Sequence, residues 1–211
     1  MENIRERIVS CAGRVWFCAK ELLKWLVLAM ITGVPCGIIG AAFDLAVEHV
    51  TELRTEHTVI LFLLPVIGLV IVAFYKAAKL EGVSTDDIID CVKDGKPIRF
   101  WLLPVMFIST VLTHLGGGSA GREGAALQMG GTIGWWAGGV LHLNEHERRM
   151  AVQCGMAAFF SALFSTPLAA TFFAMTIVNV GVVFYAAYIP CFTAAFIAYY
   201  PYALCGRSPG V

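Results

Sequence analysis

The chain has 211 residues, of which 58% are hydrophobic and only 14% charged. Its mean hydropathy is +0.76, whereas an ordinary soluble domain carries roughly 25% charged residues. Lys+Arg and Asp+Glu balance at 15 each, so no basic excess points to nucleic acid. The seven cysteines are scattered without a Cys-x-x-Cys, which argues against a zinc site or a disulfide framework.

The start, Met1 to Lys24, is amphipathic and charged. It reads either as a helix on the membrane surface or as a solvated helical tail, and it lacks the short apolar core and cleavage site of a signal peptide. Charge-free runs then follow at Leu26–Phe43, Thr58–Tyr75 and Phe100–Ala120, and Ala151–Gly206 carries no Asp, Glu, Lys or Arg. Apolar runs of this length imply an all-α, multi-pass integral membrane protein; the expected location is the plasma or inner membrane. The first span starts near Trp25. Its Gly33, Gly37 and Gly40 permit close helix packing, and its Pro35 permits a kink. The first span either ends before Asp44 or continues through Asp44 to His49; the acidic stretch Asp44–His57 is the expected linker, and a second span is expected over Val59–Tyr75.

Basic residues cluster before the first span and in Lys76–Arg99, while four acids sit in Asp44–His57. The positive-inside rule therefore places the N-terminus and Lys76–Arg99 in the cytoplasm. Within that stretch Val83, Ser84 and Thr85 open a short helix, with Ser84 or Thr85 as N-cap and Asp86 and Asp87 in its first turn. The third span, Phe100–Leu115, leads into Gly116–Gly131, where Arg122 and Glu123 sit among glycines. No further charge occurs to Leu141, so a helix is expected to begin at Arg122-Glu123. Such a start offers unpaired N–H groups and about half a positive elementary charge, an anion site made of backbone.

A carboxylate in a bilayer costs roughly 2.5–3.5 kcal/mol, and a helix N-terminus offsets about 0.3–2 kcal/mol of that. Glu123 is thus expected to compete with an anion for the positive pocket, plugging it when charged and opening it when protonated or swung out. Arg122 is expected to act more as a salt-bridge anchor than as an anion ligand. The polar link His142–Arg149 follows. His142 and His146 have metal-ligand spacing, but a surface link is the better reading, with Asn144 and Glu147 forming a capping box; no metal or other cofactor is expected. The remainder, Gly155–Tyr200, is expected to be broken at Ser165-Thr166-Pro167, at Asn179-Val180-Gly181 and at Pro190. Broken helices are tolerated in a membrane where they line water or are buried, a transporter pattern.

Two enzyme-like patterns overlap the glycine stretch. Gly116-x-Gly118-x-x-Gly121 fits a dinucleotide fingerprint but lacks the strand before it. Gly117-x-Ser119-x-Gly121, with His114 nearby, leaves an intramembrane serine hydrolase as an alternative. A P-loop is excluded because no Gly-Lys-Ser/Thr follows.

Gly121-Arg122-Glu123-Gly124, continued by Ala125-Ala126-Leu127-Gln128-Met129-Gly130-Gly131, resembles the Gly-Arg-Glu-Gly-Pro signature of the CLC chloride channels and proton-coupled antiporters. Phe164–Ala169 resembles that family's following segment, and Gly82-Val83-Ser84 falls where its first anion-site motif lies. The resemblance runs in order from about residue 20 to 200. It implies one half of an inverted-repeat fold: an interfacial helix over 1–24, a transmembrane half over 25–206 and a tail over 207–211. It also implies chloride or fluoride as the transported ion, protons as a possible partner, and no enzymatic activity. The anion site it implies comprises Val83, Ser84, Gly121, Arg122, Glu123, Gly124 and Ala125, with Glu123 as gate.

Ala125 replaces the signature's Pro, and Val83 stands where many members place a halide-touching serine. Thr176 and Ile177 stand where chloride exchangers carry paired glutamates. These departures resemble the fluoride-handling branch and some other bacterial members. The family completes its site with a second half. The chain is therefore expected either to need such a half or a second copy in the bilayer, or to be a truncated form without transport of its own.

Overall fold

The computed structural model describes residues 2–178 and 185–205, and within them the side chains of residues 14, 16, 19–57, 59–178 and 185–205. Among the described residues there are eight α-helices and no strand: α1 (Glu2–Glu56), α2 (Leu64–Ala77), α3 (Thr85–Asp94), α4 (Leu102–Leu115), α5 (Arg122–Val140), α6 (Glu145–Phe164), α7 (Pro167–Thr176) and α8 (Tyr188–Leu204). A 3-10 turn over Thr58–Leu63 leads into α2. The segments Ala19–Glu56 and Val59–Ala77 are long and apolar enough to cross a membrane.

Two expectations change at α1. The helix passes through Lys24-Trp25 without a break and continues to Glu56, so the linker expected over Asp44–His57 is helical up to its last residue. Asp44, Glu48, Glu52 and Glu56 recur every four residues, which places them on one face of a helix. That periodicity is the sequence signal of helix. Pro190 is a third change: it lies in the first turn of α8 and breaks nothing, because a proline there removes a donor that has no intrahelical partner anyway. The break at Ser165-Thr166-Pro167 is present. Ser165 ends α6 in the left-handed region (φ 53°) and Pro167 begins α7. Asn179-Val180-Gly181 and 207–211 lie outside the described residues.

α6 is the core of the bundle, with almost all of Met150–Ala162 buried. It packs on α1, α3, α5, α7 and α8. Small residues set the closest crossings. On α5, Gly130 and Gly134 face Ala151 and Gly155 on α6. A Cβ at Gly134 would lie 2.1 Å from the Ala151 carbonyl oxygen, and one at Gly155 would lie 2.1 Å from that of Gly130. The Gly33/Gly37 spacing of α1 meets Ala194 and Ala198 of α8 in the same way, at 2.8 and 2.4 Å. Between apolar helices, backbone contact of this kind replaces the hydrophobic driving force that lipid does not supply. By contrast α2 has no buried residue and touches mainly α4.

Candidate functional site

The glycine stretch first makes a turn. Gly117 adopts φ +80°, and a Cβ there would lie 2.3 Å from Leu61. Only glycine allows both the left-handed conformation and that approach. The chain then enters α5 through Gly121, an extended N-cap (φ −68°, ψ 122°) with no side-chain capping bond. The expected helix start at Arg122-Glu123 is therefore present, and among the described residues no side chain caps its first-turn N–H groups.

α3 lies against this start. Gln128 Nε2 donates to Thr85 Oγ1 at 3.2 Å, and a Cβ on Gly124 would lie 3.3 Å from the same oxygen. One turn further along both helices, Ile88 meets Gly131. The pairings 85 with 124/128 and 88 with 131 advance together, so α3 and α5 run parallel and start side by side. Both positive helix ends point to one place. They are not equivalent. Ser84 caps α3 in a capping box: its Oγ accepts from Asp86 N at 3.2 Å, and its N donates to Asp87 Oδ2 at 2.8 Å. With Asp86 and Asp87 in that first turn, the α3 start carries its own anions, whereas the α5 start is open.

The charged pair separates. Arg122 Nη1 donates to Asp44 Oδ1 at 3.0 Å, and the Tyr202 hydroxyl donates to Asp44 Oδ2 at 3.1 Å. One carboxylate on α1 thereby ties down the start of α5 and the end of α8. A cavity of about 220 Å³ beside it is lined by Asp44, Glu48, Glu52 and Arg122. Glu123 is exposed, and among the described residues its carboxylate has neither an ion pair nor a hydrogen bond. Gly121 is exposed, Gly124 half-buried and Ala125 buried. Val83 is half-buried against the apolar core, and Ser84 is exposed. The structure thus gathers Ser84, Thr85 and Gly121–Ala125 around one junction, with Val83 turned into packing. Sequence reasoning missed Thr85, Gln128, Asp44 and Tyr202 as members of this junction.

The hydrolase alternative finds no support in the geometry. Ser119 follows helix α4, where a nucleophile elbow needs a strand, and His114 Nδ1 pairs with the Thr110 carbonyl oxygen of its own helix at 2.8 Å. The dinucleotide fingerprint fails for the same reason. At the polar link, Asn144 Oδ1 accepts from Glu147 N at 2.9 Å, completing the expected capping box. Among the described residues no group of three metal-ligating side chains occurs. Thr176 caps back onto the Phe172 carbonyl at 2.9 Å and is exposed.

The family model described as voltage gated chloride channel matches residues 66–209. The chain belongs to this family. It is 36% identical over 181 residues to a chloride/fluoride channel protein of Pseudomonas syringae pv. tomato, covering 84% of this chain and 40% of that protein. It is 34% identical over 171 residues to the H(+)/Cl(-) exchange transporter ClcA of Cronobacter sakazakii, covering 73% and 36%. Among solved structures it superposes on a CLC-type fluoride/proton antiporter with a TM-score of 0.83 at 32% identity, over 89% of this chain and 48% of that one. A slow cyanobacterial Cl-/H+ antiporter shares the fold, with a TM-score of 0.71 at 23% identity over 88% and 47%. The all-α fold is thus of the CLC type, and the chain spans less than half the length of these relatives.

Proposed function

We propose that this chain supplies the N-terminal half of a transmembrane pathway for chloride or fluoride, as a CLC-type channel or anion/proton antiporter, with Glu123 as its gate. The observation that carries the reading is the parallel pairing of α3 and α5. Their starts meet at Thr85 and Gly124, and only the α5 start is left without a side-chain cap. The backbone N–H groups of Glu123, Gly124 and Ala125 are the donors for the anion. Gly121 keeps the approach clear. Arg122 acts through Asp44 as an anchor, which leaves the carboxylate of Glu123 as the charge able to enter and leave the pocket. Ser84 holds the α3 start in register, Thr85 presents the nearest hydroxyl, and Val83 contributes shape. The relatives' activities on chloride, fluoride and protons agree with this chemistry.

A dehydrated halide needs donors on all sides in a low-dielectric site. In inverted-repeat transporters each half contributes helix ends near the midplane, so the complement here is a second CLC half or a second copy. The spans lie in the plasma or inner membrane with the N-terminus and Lys76–Arg99 cytoplasmic. Lys24 and Asp44 are twenty residues apart on α1, about 30 Å at 1.5 Å per residue, the thickness of the hydrocarbon core. Halide efflux from liposomes is the test. The purified chain alone should leak no faster than empty vesicles, and adding a separately purified C-terminal CLC half should restore efflux. No efflux in either case would defeat the transport reading. Saturable, anion-selective efflux from the chain alone would instead show that two copies suffice.

A further inference from the structure

At the far end of α3 from Thr85 lies a cavity of about 210 Å³ between the end of α3, the first turns of α6 and the end of α7. α3 has ten residues, so this cavity is about 15 Å from the junction with α5 and separate from it. Lys93, His146 and Arg149 line it together with Met150 and Met175, and among the described residues no acidic side chain lines it. Glu147 of the neighbouring α6 turn is engaged elsewhere: it pairs with Lys24 and accepts from Asn144 N.

Among the described residues, the Gln153 amide and one nitrogen of Arg149 lack partners here. Gln153 reaches the cavity and is only 2% exposed. Among the described residues its side-chain amide makes no hydrogen bond, although a buried polar group without a partner costs about 1–3 kcal/mol. Arg149 donates from Nη1 to the Lys93 carbonyl at 2.7 Å, yet its Nε is buried with no acceptor. Donors outnumber acceptors in a basic cavity.

We propose that this cavity binds a phosphate-type oxyanion, supplied either as free phosphate or as the headgroup of an anionic phospholipid. A phosphate group presents three or more oxygens and suits guanidinium and ammonium donors together. A single halide would leave most of the volume unfilled. The basic end of the bundle is also where a headgroup would lie if the spans are oriented as proposed.

The test uses the full chain. Inorganic phosphate is titrated calorimetrically into lipid-free detergent solutions at constant ionic strength, with chloride as control. In parallel, native mass spectrometry counts phosphatidylglycerol retained from nanodiscs. Lys93→Gln and Gln153→Leu should each weaken phosphate binding at least tenfold or abolish phosphatidylglycerol retention. Gln153→Leu should do so without lowering the ion-free unfolding temperature, because no hydrogen bond is lost. A purely structural Gln153 would instead destabilise the protein when replaced. Calorimetric binding identifies free phosphate as sufficient, and retention without it identifies the headgroup as the source. Binding unchanged in both variants, or absent from the unaltered chain in both assays, overturns the proposal. Lys93 is exposed, so its variant keeps the test valid even if Gln153→Leu fails to fold.

Discussion

Gly134→Ala tests whether α5 owes its position to backbone contact with α6. The added Cβ would lie 2.1 Å from the Ala151 carbonyl oxygen, where ordinary contact begins near 3.4 Å. The contact atom is backbone, so no side chain can swing aside, and the helices must part by about 1 Å. Overpacking of this kind costs about 1–3 kcal/mol. The alanine returns up to about 1 kcal/mol through better helix propensity, and separation forfeits dispersion of about 0.1–0.2 kcal/mol for each atom pair along the crossing. The net expectation is a loss of about 1–4 kcal/mol, or roughly 2–16 °C in Tm for a chain of this size. Gly68→Ala is the matched control, because nothing lies within 4 Å of its added carbon. Thermal unfolding in detergent, followed by circular dichroism, should show Gly134→Ala well below the unaltered protein and Gly68→Ala at or above it. A Gly134→Ala protein as stable as the control would refute the contact argument. Because α5 begins at Arg122, the same shift should also disturb the junction with Thr85.

Asp44→Asn keeps the shape of the tether but removes its charge. It should cost about 1–3 kcal/mol, chiefly from the buried Tyr202 hydroxyl losing an ionised acceptor, since half-exposed Arg122 contributes little on its own. Tyr202→Phe should reproduce most of that loss in the same unfolding assay. On α3, the Lys96 ammonium hydrogen-bonds Asp90 at 2.7 Å and, by that bond and its charge, holds the carboxyl below its ordinary range. A lowered folded value means that the pair's contribution is present at neutral pH and fades as acid protonates Asp90. Carboxyl titration by NMR should show Asp90 returning upward in Lys96→Gln; an unmoved titration would contradict the pairing. A cysteine at Asp94 should react with impermeant reagents from the cytoplasmic side only, and labelling from outside intact cells would reverse the proposed orientation.

The helix starts were legible in the sequence because caps and charge breaks are local. Arg122-Glu123, Ser84 with its following acids, Asn144 with Glu147, and Pro167 each announce a boundary through their own chemistry. What joins those starts was not legible. The Thr85–Gln128 bond and the Asp44–Tyr202 contact link residues 43 and 158 positions apart, and no local pattern encodes such distances. Asp44 opens a linker in one reading of the sequence and lies within a span continued to His49 in the other. The four-residue spacing of the acids favours the continued helix. Val83 is read by its position in a motif, and its packing against the core is a long-range contact that the motif does not encode.

The account turns on Glu123 as the mobile charge at an otherwise open helix start. The most direct measurement is the initial rate of halide efflux against pH, with the chain and its complementary half reconstituted together, for the unaltered protein and for Glu123→Gln. Glutamine matches the side chain in size but neither ionises nor competes with the anion. The account predicts that efflux persists in the variant and becomes independent of pH. A pH profile that remains unchanged in Glu123→Gln would contradict it.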